Sequence, residues 1–180
     1  MGVKKVLVID VDETLLTIEP LFYLERFHRD YSKKEGVKVI FLDKEYYLMP
    51  RPYVRFFLEK LRNDYNLVAW SIADREITRK KLELLGLDNY FTYLFGKQDL
   101  HNGKKSLRWL ADFINIPLDA LAAIDDNPKL YDIPRQVIPI TSWLAGSHDD
   151  NELIKAIKLV KIKFGEIVPS KMQEIRSVTI

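Results

Sequence analysis

At 180 residues the chain is long enough for one domain with a full core, and its 47% apolar and 30% charged residues are ordinary for a soluble globular protein. A net charge of +2 is too small to attract a nucleic acid or a membrane surface over distance, so neither is expected as a partner. The absence of cysteine excludes disulfides, thiolate metal sites and a cysteine nucleophile, and it fits a reducing, cytoplasmic setting.

The first apolar run, Val6–Ile9, is far short of a signal peptide or a spanning helix. Rich in β-branched residues, it reads as a strand buried on both faces, as in a parallel sheet. It runs directly into Asp10 and Asp12. Burying an unpaired carboxylate is costly, so the strand must end there with both acids at its mouth. In open α/β sheets that end of a strand is where ligands bind. A calcium loop starting at Asp10 is excluded, because Leu15 and Leu21 stand where it needs Gly and Glu.

Residues 20–31 carry Leu21, Leu24, Phe27 and Tyr31 at helical spacing, and Gly36 closes that segment. Residues 37–42 and 46–49 read as two short strands joined by a hairpin at Asp43-Lys44-Glu45. Pro52 opens a helix with Val54, Phe57, Leu58 and Leu61 on one face. Residues 67–70 form a second buried strand ending at Ser71. Asp74 caps a helix running through Ile77, Lys81, Leu84 and Leu85 to Gly86. A short aromatic strand within residues 90–95 and a polar loop over 96–103 follow. Leu107, Leu110, Ala111 and Ile114 then mark a helix ended by Pro117. Residues 121–124 are a buried strand running into Asp125 and Asp126, residues 137–140 another, and Asp149 opens a helix with Leu153, Ile157 and Val160. Residues 164–180 give no reading. Strands alternating with helices call for an α/β fold, a parallel sheet with helices on both faces.

Three strand ends thus carry polar groups: Asp10 and Asp12, then Ser71, then Asp125 and Asp126. On one sheet edge the carboxylates converge, and like charges about 4 Å apart repel by about 4 kcal/mol at an effective dielectric near 20. A divalent cation relieves this, and an all-oxygen set with no His or Cys beside it favours magnesium. His28, His101 and His148 lie in polar or helical contexts and read as surface residues. Magnesium beside an Asp, with Ser and Lys near by, points to phosphoryl transfer, since a carboxylate can take up a phosphoryl group as an aspartyl-phosphate.

Asp10-Val11-Asp12-Glu13-Thr14 after an apolar strand resembles the first motif of the haloacid dehalogenase superfamily of phosphatases. Ser71 resembles its second, Lys104 or Lys105 its third, and Asp125-Asp126 its fourth. Within it, residues 51–58 and 137–143 resemble the small carboxy-terminal-domain (NLI-interacting factor-like) phosphatases, and residues 115–126 the magnesium-dependent phosphatase group; both lack a large cap domain. The resemblance implies a Rossmann-like fold over one domain, 1–180, in which residues 15–52 form a helix-and-hairpin flap. It implies a magnesium-dependent phosphatase acting on a phosphoprotein or a small phosphate ester. Asp10 would be nucleophile and metal ligand. Asp12 would be general acid and base, giving the metal its backbone carbonyl. Ser71 and the Lys would hold the phosphoryl group, and Asp125 and Asp126 would complete the metal site. Two other readings share these motifs: a catalytically silent binding protein on the same fold, and a phosphotransferase.

Helical periodicity chooses between the lysines. At about 100° per residue, Lys104 lies about 70° from the centre of the stripe formed by Leu107, Leu110, Ala111 and Ile114, and Lys105 about 170°. Lys104 is therefore expected over the site and Lys105 in solvent. Alignment of Lys105-Ser106-Leu107 with the family's Lys-Asp-Leu pulls the other way.

Overall fold

A computed structural model describes residues 4–27, 35–41, 43–144 and 150–167. In chain order come β1 (Val6–Ile9), β2 (Leu16–Pro20), α1 (Leu21–Phe27), β3 (Val37–Phe41), β4 (Lys44–Pro50), α2 (Val54–Arg62), β5 (Asn66–Trp70), α3 (Arg75–Leu84), β6 (Tyr93–Phe95), α4 (Leu107–Phe113), β7 (Leu121–Asp125), β8 (Val137–Pro139) and α5 (Glu152–Lys163).

The apolar run of β1 is central because both its faces and both its edges are covered. It pairs in parallel with β5 on one side and β7 on the other, within a five-stranded sheet ordered β6-β5-β1-β7-β8. Alternation sends Leu7 and Ile9 to one core, shared with Phe57 and Leu61 of α2 and Leu153 and Val160 of α5. Val6 and Val8 go to the opposite core, with Leu107 and Leu110 of α4. This is the expected α/β arrangement, with helices on both faces of a parallel sheet. No helix among the described residues is long and apolar enough to cross a membrane.

A second sheet, antiparallel and ordered β2-β4-β3, is separate in its hydrogen bonding but reaches the same core through Leu16 and Leu48. The hairpin expected around Asp43 is present, with Val37 opposite Leu48 and Phe41 opposite Lys44. Asp43 has φ 58°, the left-handed conformation that Asp tolerates better than most residues. The third strand of this sheet, β2, is not among the expected strands; the helix expected from residue 20 starts one residue later, at Leu21. The end of that expected helix, including Tyr31, lies outside the described residues.

Asp74 caps α3 as expected, accepting hydrogen bonds from the backbone of Glu76 (2.9 Å) and Ile77 (3.4 Å), and Gly86, at φ +62°, follows its end. Of the expected run through Ile77, Lys81, Leu84 and Leu85, only Leu85 is in the core; the buried residues of the helix itself are Thr78 and Leu82. Ile77 and Leu84 are exposed, and with Lys80 and Lys81 they form one wall of a groove of about 590 Å³ beneath the small sheet. Asp149, expected to open the last helix, lies outside the described residues. Asp150 instead accepts the backbone N–H of Glu152 at 3.1 Å.

Candidate active site

Asp10 follows β1 directly, and its backbone N–H donates to Ile124 of β7 at 3.0 Å, which carries the strand pairing one residue past the end of β1. The register fixes what lies beside it: Asp125, last residue of β7, is one step beyond the Ile9–Ile124 pair. Asp10 and Asp125 are both buried. Each offers an oxygen to Lys105, whose Nζ lies 2.6 Å from Asp10 Oδ1 and 2.7 Å from Asp125 Oδ2. Lys105 is 0% exposed and also lies over the Tyr131 ring, 5.2 Å from its centroid.

This overturns the periodicity reading of the two lysines. Lys105 is buried among the carboxylates and Lys104 is in solvent. The physical reason is local. Ser106 is the N-cap of α4, its Oγ accepting from Trp109 N at 3.2 Å, so both lysines precede the helix and no 100° step applies to them. The backbone at Lys105 instead runs beside Tyr131 in an isolated bridge, donating to Leu130 O at 2.8 Å.

The second acid of the first motif faces a different set. Ser71, placed by β5, donates from Oγ to Asp12 Oδ2 at 2.8 Å and accepts from Ala73 N at 2.9 Å. The other Asp12 oxygen, Oδ1, is paired with Lys81 of α3. Lys81 carried a signal in the sequence: it is the one charged position in an otherwise apolar stripe. Asp126 accepts from the buried Thr14 at 3.4 Å, a contact no pattern in the sequence had marked.

Arg51 holds these loops together. Fully buried, it meets Asp150 through Nε (3.1 Å) and NH2 (2.7 Å). It also donates to the carbonyls of Thr14 (3.2 Å), Glu13 (3.4 Å) and Thr141 (2.8 Å). The segment after Asp12 is thereby tied to the exit of β8 and the start of α5. Glu13 is strained in this loop, at φ 62°, and its carboxylate accepts from Ser142 Oγ. Gly96, next to the site loop after β6, is required by space: a Cβ there would lie 2.5 Å from Arg75 N.

The electrostatics follow from burial. Desolvation pushes the Asp10 carboxyl up to about 7; Lys105 opposes this, and Asp125 adds to it. Burial works against the Lys105 ammonium, yet Asp10 and Asp125 outweigh it and hold the group above its ordinary value. Desolvation and Asp125 also raise Asp126. Ligand oxygens of Asp10, Asp125 and Asp126 all lie within 4.8 Å of one another. With all three ionised, one ammonium leaves two negative charges uncompensated in a largely buried site, at about 4 kcal/mol for each close pair. The donor set is all oxygen, and it fits a hard divalent cation. Of the histidines, His28 and His148 lie outside the described residues, and His101 is exposed and lies tilted against Trp109 with ring centroids 4.7 Å apart.

The family profile described as NLI interacting factor-like phosphatase matches residues 5–169. The chain belongs to that family. Among curated relatives, phosphatase PSR1 of Saccharomyces cerevisiae is 26% identical over 159 residues, covering 88% of this chain and 36% of its own. CTD nuclear envelope phosphatase 1B of Danio rerio is 27% identical over 161 residues, covering 81% of this chain and 62% of its own. The chain thus spans less than two thirds of the length of either. Among solved structures, the fission yeast RNA polymerase II CTD phosphatase Fcp1 (R271A, bound to beryllium fluoride) superposes with a TM-score of 0.61 at 15% identity, over 89% of this chain and 52% of its own. A Had-superfamily hydrolase from Ehrlichia chaffeensis gives 0.55 at 14% identity, over 90% and 99%. At those identities the structural likeness speaks to the fold, which is that of the haloacid dehalogenase superfamily.

Proposed function

We propose that this NLI interacting factor-like chain is a magnesium-dependent phosphomonoesterase that works through a phosphorylated Asp10. The observation that carries the reading is the placement of Asp10: a carboxylate at the end of the central strand, held by a buried lysine, with two further carboxylates and the Asp12–Ser71 pair beside it. Asp10, Asp125 and Asp126, with the backbone carbonyl of Asp12, would hold the cation. Its chemistry there is to offset the negative charge of the phosphoryl oxygens.

An Asp10 oxygen attacks phosphorus, and the P–O ester bond breaks as its electron pair leaves with the substrate oxygen. Asp12 gives that oxygen a proton. Water then attacks the phospho-aspartate, the bond from phosphorus to Asp10 breaks, and Asp12 takes the water's proton. Lys105 and Ser71 hold the phosphoryl oxygens, Lys105 doing so from the position it shares with Asp10 and Asp125. The small β2-β4-β3 sheet flanks the site without forming a cap domain, and an open site favours water over a second substrate as acceptor. The groove beside Asp12 suits a phosphorylated polypeptide segment, in keeping with the CTD phosphatases among its relatives.

The test is hydrolysis of p-nitrophenyl phosphate with and without magnesium by the wild type and by Asp10→Asn. Turnover should need magnesium and vanish in the variant, whose amide cannot become an acyl phosphate, while its far-ultraviolet circular dichroism stays unchanged. Wild-type rates in pure Asp10→Asn protein would reject the mechanism.

A further inference from the structure

Lys81 belongs to two places at once. Its ammonium is paired with Asp12, and its side chain, 13% exposed, forms part of the wall of the groove between the small sheet and α3. Among the described residues that groove is lined by apolar side chains of α3 and the small sheet, with Lys38, Lys80 and Lys81 as its charged members. Lys38 has Glu45 as partner (2.7 Å), and Lys80 reaches Glu83 along its own helix (3.6 Å), both across exposed surface. The partner of Lys81 is instead a carboxylate that the reaction needs.

Both oxygens of Asp12 are engaged, Oδ2 by Ser71 and Oδ1 by Lys81. Each Asp12 oxygen keeps a further lone pair, so work on an ester oxygen or on water competes with these two contacts, and loosening one of them frees an oxygen for the substrate. Ser71 can turn to the phosphoryl group. Lys81 stands on the groove side, and an ammonium so little exposed is costly to leave unpaired. An anionic group on the substrate, beside the phosphorylated oxygen and on the groove side, would replace Asp12 as its partner.

We propose that Lys81 is a specificity-determining residue that selects phosphoryl substrates carrying a carboxylate next to the phosphorylated group. The inference rests on the phosphatase reading above, and it deepens it by naming what the body of the substrate must offer. No covalent step is added.

The test uses two phosphoserine peptides of one sequence that differ only at the residues flanking the phosphoserine, Glu in one and Gln in the other. Wild type, Lys81→Met and Lys81→Arg are compared by kcat/KM with magnesium present. Binding of the same peptides to Asp10→Asn, with and without Lys81→Met, is measured by calorimetry. Wild type should favour the Glu peptide by about tenfold, the ~1.4 kcal/mol of one charge-assisted contact. Lys81→Met should lose that preference in both rate and binding, and Lys81→Arg should keep it. A helix residue of merely structural value would lower both peptides alike. Equal handling of the peptides by the wild type, or a preference surviving in Lys81→Met, overturns the inference. Binding that prefers the Glu peptide through Lys81, without turnover of any ester, would leave the inference standing and reject the phosphatase reading.

Discussion

Lys104 and Lys105 are adjacent in sequence and opposite in surroundings, and that difference is measurable. Lys105→Ala should lower kcat by about 10²–10³, the usual worth of a donor to developing phosphoryl charge. It should also cost about 3–5 kcal/mol of stability, because Asp10 and Asp125 lose a buried counter-ion. Lys104→Ala should leave kcat and the urea midpoint at wild-type values; steady-state kinetics and urea unfolding of the two variants check this. The acids at the strand ends were legible in the sequence because each follows an apolar run that has to stop at a charge. The lysine was legible only through the Lys105-Ser106-Leu107 alignment; periodicity pointed to Lys104 because it says nothing about residues ahead of an N-cap, and Ser106 marks that cap. Asp10 makes a second prediction. Its carboxyl lies at about 7 in the fold against an ordinary 3.8. Between those values the native state keeps a proton that the unfolded chain releases, so this group's contribution to stability falls as pH rises through the window. In chelator, wild type should therefore lose melting temperature from pH 4 to pH 7 more steeply than Asp10→Asn; parallel slopes would contradict the assigned burial.

At the scale of elements, Arg51 bridges three connections, at Thr14, Thr141 and Asp150. Arg51→Met removes the bidentate contact to Asp150, which is itself 7% exposed, and leaves the carbonyls of Thr14 and Thr141 without that donor. The expected loss is about 3–5 kcal/mol, read from urea unfolding, since breaking a buried pair leaves a buried charge behind. Arg51 stood in the sequence between two prolines, Pro50 and Pro52, with nothing to mark its partner at Asp150, because that contact depends on the tertiary path. The strand β2 was missed for a different reason. Its Leu-Thr-Ile-Glu-Pro is short, ends in proline and gains its pairing only from β4, so local preference is too weak to reveal it. The stripe on α3 misled in the opposite direction. Its spacing is helical as read, but Ile77 and Leu84 line the groove while Thr78 and Leu82 take the core, because periodicity finds an apolar face without saying what covers it.

At the scale of the whole molecule, a cation held by Asp10, Asp125 and Asp126, as proposed above, would bind only the folded chain, so magnesium should raise the melting temperature. At a hundredfold excess over its Kd the gain is about 2.7 kcal/mol. Asp126→Ala should shrink the shift, and a melting curve indifferent to millimolar magnesium would count against the site. The sheet order bears on how the molecule is made as well as on what it binds. β1 precedes both of its neighbours, β5 and β7, so the strand that leads into Asp10 completes its pairing only once β7 has been made. Parallel pairing over such separations is slow to form. During synthesis on the ribosome, Val6–Ile9 therefore waits for β5, and one of its edges stays open until β7 has emerged, a sticky edge during translation. Substitutions that weaken β7 should accordingly be felt first as lost yield of soluble protein, before any loss of stability is seen in the folded protein that survives.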